Sequence, residues 1–107
     1  MSVGPIDNTT SQAALSPPDV ARRFATICNQ RGLHARAAAR FVKTAGQFDA
    51  EVLVRKNGTE VSGRSIMGLM MLAAAPGTVI ELAATGRQAE AAVTALTKLI
   101  ECKFDEE

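Results

Sequence analysis

The chain contains no tryptophan and no tyrosine, and its only aromatic residues are four phenylalanines. That scarcity argues against the stacked aromatic platforms on which single-stranded nucleic acids are held. Neither sign of charge dominates. Twelve basic against eleven acidic residues leave a formal net charge of +1, without the basic excess that nucleic-acid or anionic-membrane partners call for. No apolar run approaches the ~20 residues of a transmembrane helix, and the first residues lack the charged start and apolar stretch of a signal peptide. No nucleic-acid partner, no membrane insertion and a cytoplasmic location are therefore expected. Cysteine and histidine are equally sparse, with two and one. Cys28 and Cys102 form no CxxC pair and have no second histidine to join, so no metal site can be built and no cofactor is implied. They read as reduced, partly buried thiols. No paired carboxylates and no Ser-His-Asp order stand out.

What is present is the composition of one small globular domain: 107 residues, 47% of them apolar, enough for a modest core. Residues 1–20 are rich in Ser, Thr, Asn and Pro without a period and read as a flexible extension. Residues 21–107 read as the single domain. Residues 22–29 suit a strand. Ala38, Phe41, Val42 and Ala45 recur at helical spacing, which predicts a helix over 35–45 with Gly46 as its C-cap. Residues 49–55 alternate, with Val52 and Val54 on one face. Asn57-Gly58 supplies a two-residue hairpin turn, and 59–62 form the returning strand. Ser65 is a good N-cap for a short helix over 66–73. Ile80, Leu82 and Ala84 mark a strand over 78–84. Ala89, Ala92, Val93, Leu96, Leu99 and Ile100 form the stripe of a helix over 87–102. The order is βαββαβα, an α+β arrangement in which helices cover one face of a single sheet.

His34, the only histidine, stands at the N-terminus of the first helix. Backbone N–H groups without helical partners point outward there and carry partial positive charge, which makes a ready seat for a phosphate. The same field disfavours imidazolium, so a nucleophilic neutral ring is expected beside an anion seat. Arg36, Arg40 and Lys43 follow on one helix face. Arg36 lies in the first turn, where a cation opposes the helix dipole but could form a fork on phosphoryl oxygens. The bland alternative is a capping or surface histidine beside a solvated basic face. Gly58 and Gly63-Arg64-Ser65 imitate a phosphate-binding P-loop, but Arg stands where Lys is needed and the preceding strand is a hairpin return. That match reads as coincidence. Ile66, Met67, Met70 and Met71 crowd a helix of about two turns and cannot all face inward, so an exposed Met-rich patch suited to a protein partner is expected.

Gly32-Leu33-His34-Ala35-Arg36-Ala37-Ala38 with Phe41-Val42-Lys43, followed by Arg64-Ser65-Ile66-Met67-Gly68-Leu69-Met70, resembles HPr, the histidine-containing phosphocarrier family of the phosphoenolpyruvate phosphotransferase system. The resemblance covers about 22–104. It implies an open-faced β-sandwich, a four-stranded antiparallel sheet with three helices on one face. It also implies a phosphoryl carrier rather than an enzyme. His34 would be phosphorylated on Nδ1 by enzyme I and would donate to an enzyme IIA domain, assisted by Arg36. Ser65 would be the target of HPr kinase/phosphorylase. Lys43, Arg64, Ile66, Met67 and Met70 would fall on the docking face. Ala37 stands where many members carry Pro, which pre-sets φ at a helix start but supplies no chemistry. Carriers of sugar uptake and of a nitrogen-linked regulatory branch share these motifs. A plain protein-interaction module and a nucleotide binder are the readings from other classes.

Overall fold

A computed structural model describes residues 20–106. Strands β1 (Val20–Thr26), β2 (Glu51–Lys56), β3 (Thr59–Ser62) and β4 (Val79–Thr85) form one sheet in the order β1-β4-β2-β3. Every neighbouring pair is antiparallel. Helices α1 (Ala35–Ala45), α2 (Ile66–Met71) and α3 (Ala89–Glu101) and the 3-10 turn Lys103–Asp105 are the other elements of the described residues. The period of two along each strand decides which face is covered. Ala21, Ala25, Val52, Val54, Ile80, Leu82 and Ala84 are buried under the helices, while Val20, Phe24 and Val79 on the other face are exposed. The bare face carries an alternating charge lattice, Arg22–Glu81–Arg55–Glu60, with contacts of 2.7–3.1 Å. The fold is the expected open-faced sandwich.

The hydrophobic stripes fall where the spacing put them. Ala37, Ala38, Phe41 and Ala45 of α1 and Ala89, Ala92, Val93, Leu96 and Ile100 of α3 are buried. Val42 and Leu99 are only partly covered. Asn57 and Gly58 take φ of 49° and 83°, the paired positive values of the expected hairpin turn.

Several boundaries differ, each for a local reason. The extension expected over 1–20 lies outside the described residues except for Val20, which pairs with Thr85 inside β1. β1 ends at Thr26 rather than 29 because its partner begins at Val79. Past that point Ile27 bonds only to the turn, its N–H to the Thr78 carbonyl and its carbonyl from the Gly77 N–H. β2 and β4 each start one or two residues later than the pattern implied. α2 stops at Met71, and Ala73 turns left-handed at φ 52°. α3 starts at Ala89, after Gly86 at φ 124°. Gly46 is the C-cap of α1, as expected, in right-handed geometry at φ −69°. Both thiols are free, as expected, but exposed rather than partly buried, and Cys28 Sγ lies 3.3 Å from the Ile100 carbonyl at the end of α3.

The glycines of the P-loop imitation have structural duties. Gly58 serves the hairpin. Gly63 donates to the Val52 carbonyl at 2.7 Å, and a Cβ there would come within 2.9 Å of the Val52 side chain. A methyl forced into a packed contact of this kind costs about 1–3 kcal/mol. Gly63→Ala is therefore expected to lower the urea midpoint by that much free energy at an unchanged slope. A midpoint equal to wild type would show that β2 and β3 part freely there.

Candidate functional site

The loop from β1 to α1 is shaped from both ends. Gly32 sits at φ 68°, and a Cβ on it would lie 2.6 Å from the Ala74 carbonyl oxygen. The Leu33 N–H donates to that same oxygen at 2.9 Å. Buried Asn29 donates from Nδ2 to the Gly32 carbonyl at 2.8 Å. These contacts deliver His34 to the N-cap of α1 in extended geometry, φ −81° and ψ −178°.

The imidazole makes no capping hydrogen bond to the helix, and α1 has no acidic residue in its first turn. The reading of His34 as a mere side-chain cap therefore fails on geometry. Its Nε2 instead meets Oε2 of Glu106. The other carboxylate oxygen of Glu106 accepts from Asn29 Nδ2 at 3.0 Å. Burial by itself would push the Glu106 carboxyl up. The hydrogen bonds from Asn29 and His34, with the charges of His34 and Arg31, together outweigh it and hold the group below the ordinary glutamate value. An ionised carboxylate only accepts, so Nε2 carries the hydrogen and, in the neutral ring, the free lone pair is on Nδ1.

Glu106 reaches this place through an unusual turn. Lys103, Phe104 and Asp105 all take positive φ, 56°, 55° and 60°. Left-handed geometry costs about 1–2 kcal/mol for each such residue. Full burial of Phe104 returns roughly 1.5–3 kcal/mol. The remainder falls to hydrogen bonds of about 0.5–1.5 kcal/mol each. Asp105 N–H donates to the Cys102 carbonyl and Glu106 N–H to the Lys103 carbonyl. Arg40 Nη1 donates to the Phe104 carbonyl, and Asn29 and His34 hold Glu106.

An open depression of about 340 Å³ lies over the ring, lined by Gln30, Arg31, His34, Arg36, Arg40, Asp105 and Glu106. Of the three cations expected on one face, Arg36 is exposed and enters no ion pair among the described residues. Arg40 turns toward the C-terminal hook. Lys43 lies in the neighbouring depression with Arg40, Thr44 and Gln47, away from His34. On the other side His34 shares a shallower depression with Arg31, Leu33 and Ala73, Ala74 and Ala75, the exit of α2. Ile66, Met67, Met70 and Met71 are 41%, 70%, 42% and 75% exposed, and only Leu69 of α2 is buried. Arg64 is exposed just before them. Ser65 is the N-cap of α2, its Oγ accepting from the Gly68 N–H at 2.9 Å. Sequence reasoning had not singled out Asn29, Arg31 or Glu106. The carboxylate lies 72 residues from the ring, outside every periodic segment. The one available clue was Phe104, an apolar residue just beyond a helix end.

The family described as the PTS HPr component phosphorylation site matches residues 21–102. The chain belongs to the HPr family. It is a phosphocarrier of the phosphotransferase system rather than an enzyme. It is 58% identical over 80 residues to phosphocarrier protein HPr of Neisseria meningitidis, covering 75% of this chain and 90% of that protein. It is 43% identical over 84 residues to phosphocarrier protein NPr of Shewanella violacea, covering 78% and 92%. An HPr crystal structure from Thermoanaerobacter tengcongensis superposes with a TM-score of 0.78 at 45% identity, covering 81% of this chain and 98% of that one. Among the described residues of this HPr-family chain, no helix is long and apolar enough to cross a membrane.

A carboxylate held below its ordinary value in the folded state adds stability above its unfolded-state value and loses it as pH falls. Glu106→Gln is expected to unfold at a lower temperature than wild type at pH 7. The gap should narrow as pH falls below about 4 and through the lowered folded-state value of Glu106, beneath which both side chains are neutral. A gap of constant size from pH 7 to pH 3 would mean that the Glu106 charge contributes nothing to folding.

Proposed function

We propose that His34 is the phosphoryl acceptor of this carrier, loaded on Nδ1 by phospho-enzyme I and unloaded onto an enzyme IIA domain. The observation that carries this reading is the arrangement of the ring, with Nε2 engaged by Glu106 beside a helix N-terminus without a side-chain cap. Nδ1 is then the nucleophile. The first-turn amides and the unpaired Arg36 supply the positive field that a phosphoryl group needs. A cation placed against the dipole of its own helix makes sense when an anion is to sit between them.

Donor and acceptor must both reach His34, so one surface serves both. Ile66, Met67 and Met70, with Arg64 just before them in the chain and Lys43 on α1, form the docking face in this reading. Their support is exposure: Ile66, Met67 and Met70 face water, and a cluster of exposed apolar side chains marks a surface for a partner. Ser65 is read as a regulatory phosphorylation site, the target of HPr kinase/phosphorylase. A phosphate at an N-cap adds about −1.5 to −2 charges at the positive end of a helix, which favours the helix. The cost arises on docking, where that charge would be pressed against a partner beside Ile66 and Met67. The 43% identity to an NPr protein favours a second reading, service in a nitrogen-linked regulatory branch, with the same chemistry at His34.

Incubation with phosphoenolpyruvate and enzyme I is expected to give a single acid-labile, alkali-stable phosphoryl adduct that is absent from His34→Ala. Label persisting in His34→Ala would remove the acceptor assignment. Ser65→Asp is expected to melt within a few degrees of wild type yet to bind enzyme I at least tenfold more weakly. Equal binding would leave Ser65 as a helix cap alone.

A further inference from the structure

We infer that Glu106 is a positioning residue for phosphoryl transfer: it holds the Nε2–H of His34, presents the Nδ1 lone pair to the incoming phosphorus, and stabilises the positive charge that the ring acquires. The inference rests on the reading of His34 as the acceptor and adds to it a residue near the C-terminal end of the chain.

Three features converge on this role. The carboxylate is pinned at both oxygens, one on His34 Nε2 and the other on Asn29 Nδ2 at 3.0 Å. Asn29 is buried and is itself anchored on the loop that carries His34. The hook that brings Glu106 in is left-handed at three successive residues, none of them glycine. Backbone strain of that kind persists where the surroundings over-determine it, and it gathers at functional sites. The remaining charges of the depression are Arg31 from the loop, Arg36 and Arg40 from α1, and Asp105 from the hook. Three guanidinium groups suit phosphoryl oxygens, but they oppose a cationic ring. Among the described residues, Glu106 is the only carboxylate in contact with the imidazole.

The chemistry needs such a group. As phosphorus arrives, the Nδ1 lone pair forms the new N–P bond. The donor's bond to phosphorus breaks, and its electron pair returns to the donor. No proton moves: Nε2 keeps its hydrogen, and the ring becomes an N-phosphorylated imidazolium carrying one positive charge. A carboxylate on Nε2–H orients the ring, fixes its tautomer and stabilises that charge without taking the proton. In onward transfer the same steps run in reverse.

The test uses full-length wild-type protein, E106Q and E106D. Ring 15N NMR of the unphosphorylated protein at a pH where the imidazole is neutral is expected to show Nε2-protonated tautomer in wild type and a mixture in E106Q. After loading with phosphoenolpyruvate and enzyme I, the pH at which the phosphorylated ring loses its Nε2 proton should fall by about one unit in E106Q, a tenfold change in the equilibrium. Loading should slow about tenfold with half-saturation by enzyme I unchanged. E106D, which keeps the charge, should recover part of the lost titration shift. An unaltered tautomer and titration in E106Q, whatever its loading rate, overturns the inference. If the label is still on His34, the acceptor reading survives that outcome; label elsewhere overturns both.

Discussion

The site depends on one close approach between two loops. Gly32 passes over Ala74 at a distance that admits no side chain, and Leu33 donates to the same Ala74 carbonyl. This contact ties the entrance of α1 to the exit of α2. It directs His34 to the head of one helix while holding that histidine beside the end of the other. A looser contact would leave the ring on a flexible loop and separate it from the methionine-rich surface. Among the described residues the depressions beside His34 are open ones, so backbone packing has to place the ring.

Around that fixed ring the electrostatics run in two directions. The head of α1, Arg31, Arg36 and Arg40 create a positive field that suits an arriving phosphate. Glu106 places a negative charge at the Nε2 edge of the imidazole. The Nε2 edge faces the carboxylate, so in the neutral ring the free lone pair is on Nδ1. A field of one sign would suit either an anion or a cationic ring; the two signs together suit both. The hook at 103–106 illustrates what that arrangement demands. Its backbone geometry is unfavourable by itself and is offset by a buried phenylalanine and a handful of hydrogen bonds.

Much of this was legible in the residues. Element order and the buried faces of β2, β4, α1 and α3 follow from periods of 2 and 3.6, because burial on one face is what those periods record. The Asn57-Gly58 turn and the Ser65 cap follow from local backbone chemistry. Element ends were less legible. A strand ends where its partner ends, as β1 does opposite Val79, and the partner's register is not a local property. Gly46 caps α1 as its identity implied, in right-handed geometry, since glycine permits left-handed geometry without imposing it.

The sequence by itself determined the fold class, the placement of His34 at a helix head and the surplus of apolar side chains on α2, since each depends on neighbours within a few positions. Tertiary structure alone decided that Arg40 turns to the C-terminal hook, that Lys43 stands apart from the ring, and that Asn29 and Glu106 close around it. Those contacts join segments up to 77 residues apart. No local propensity encodes them. They arise only when the sheet and its three helices bring the start and the end of the domain to the same edge.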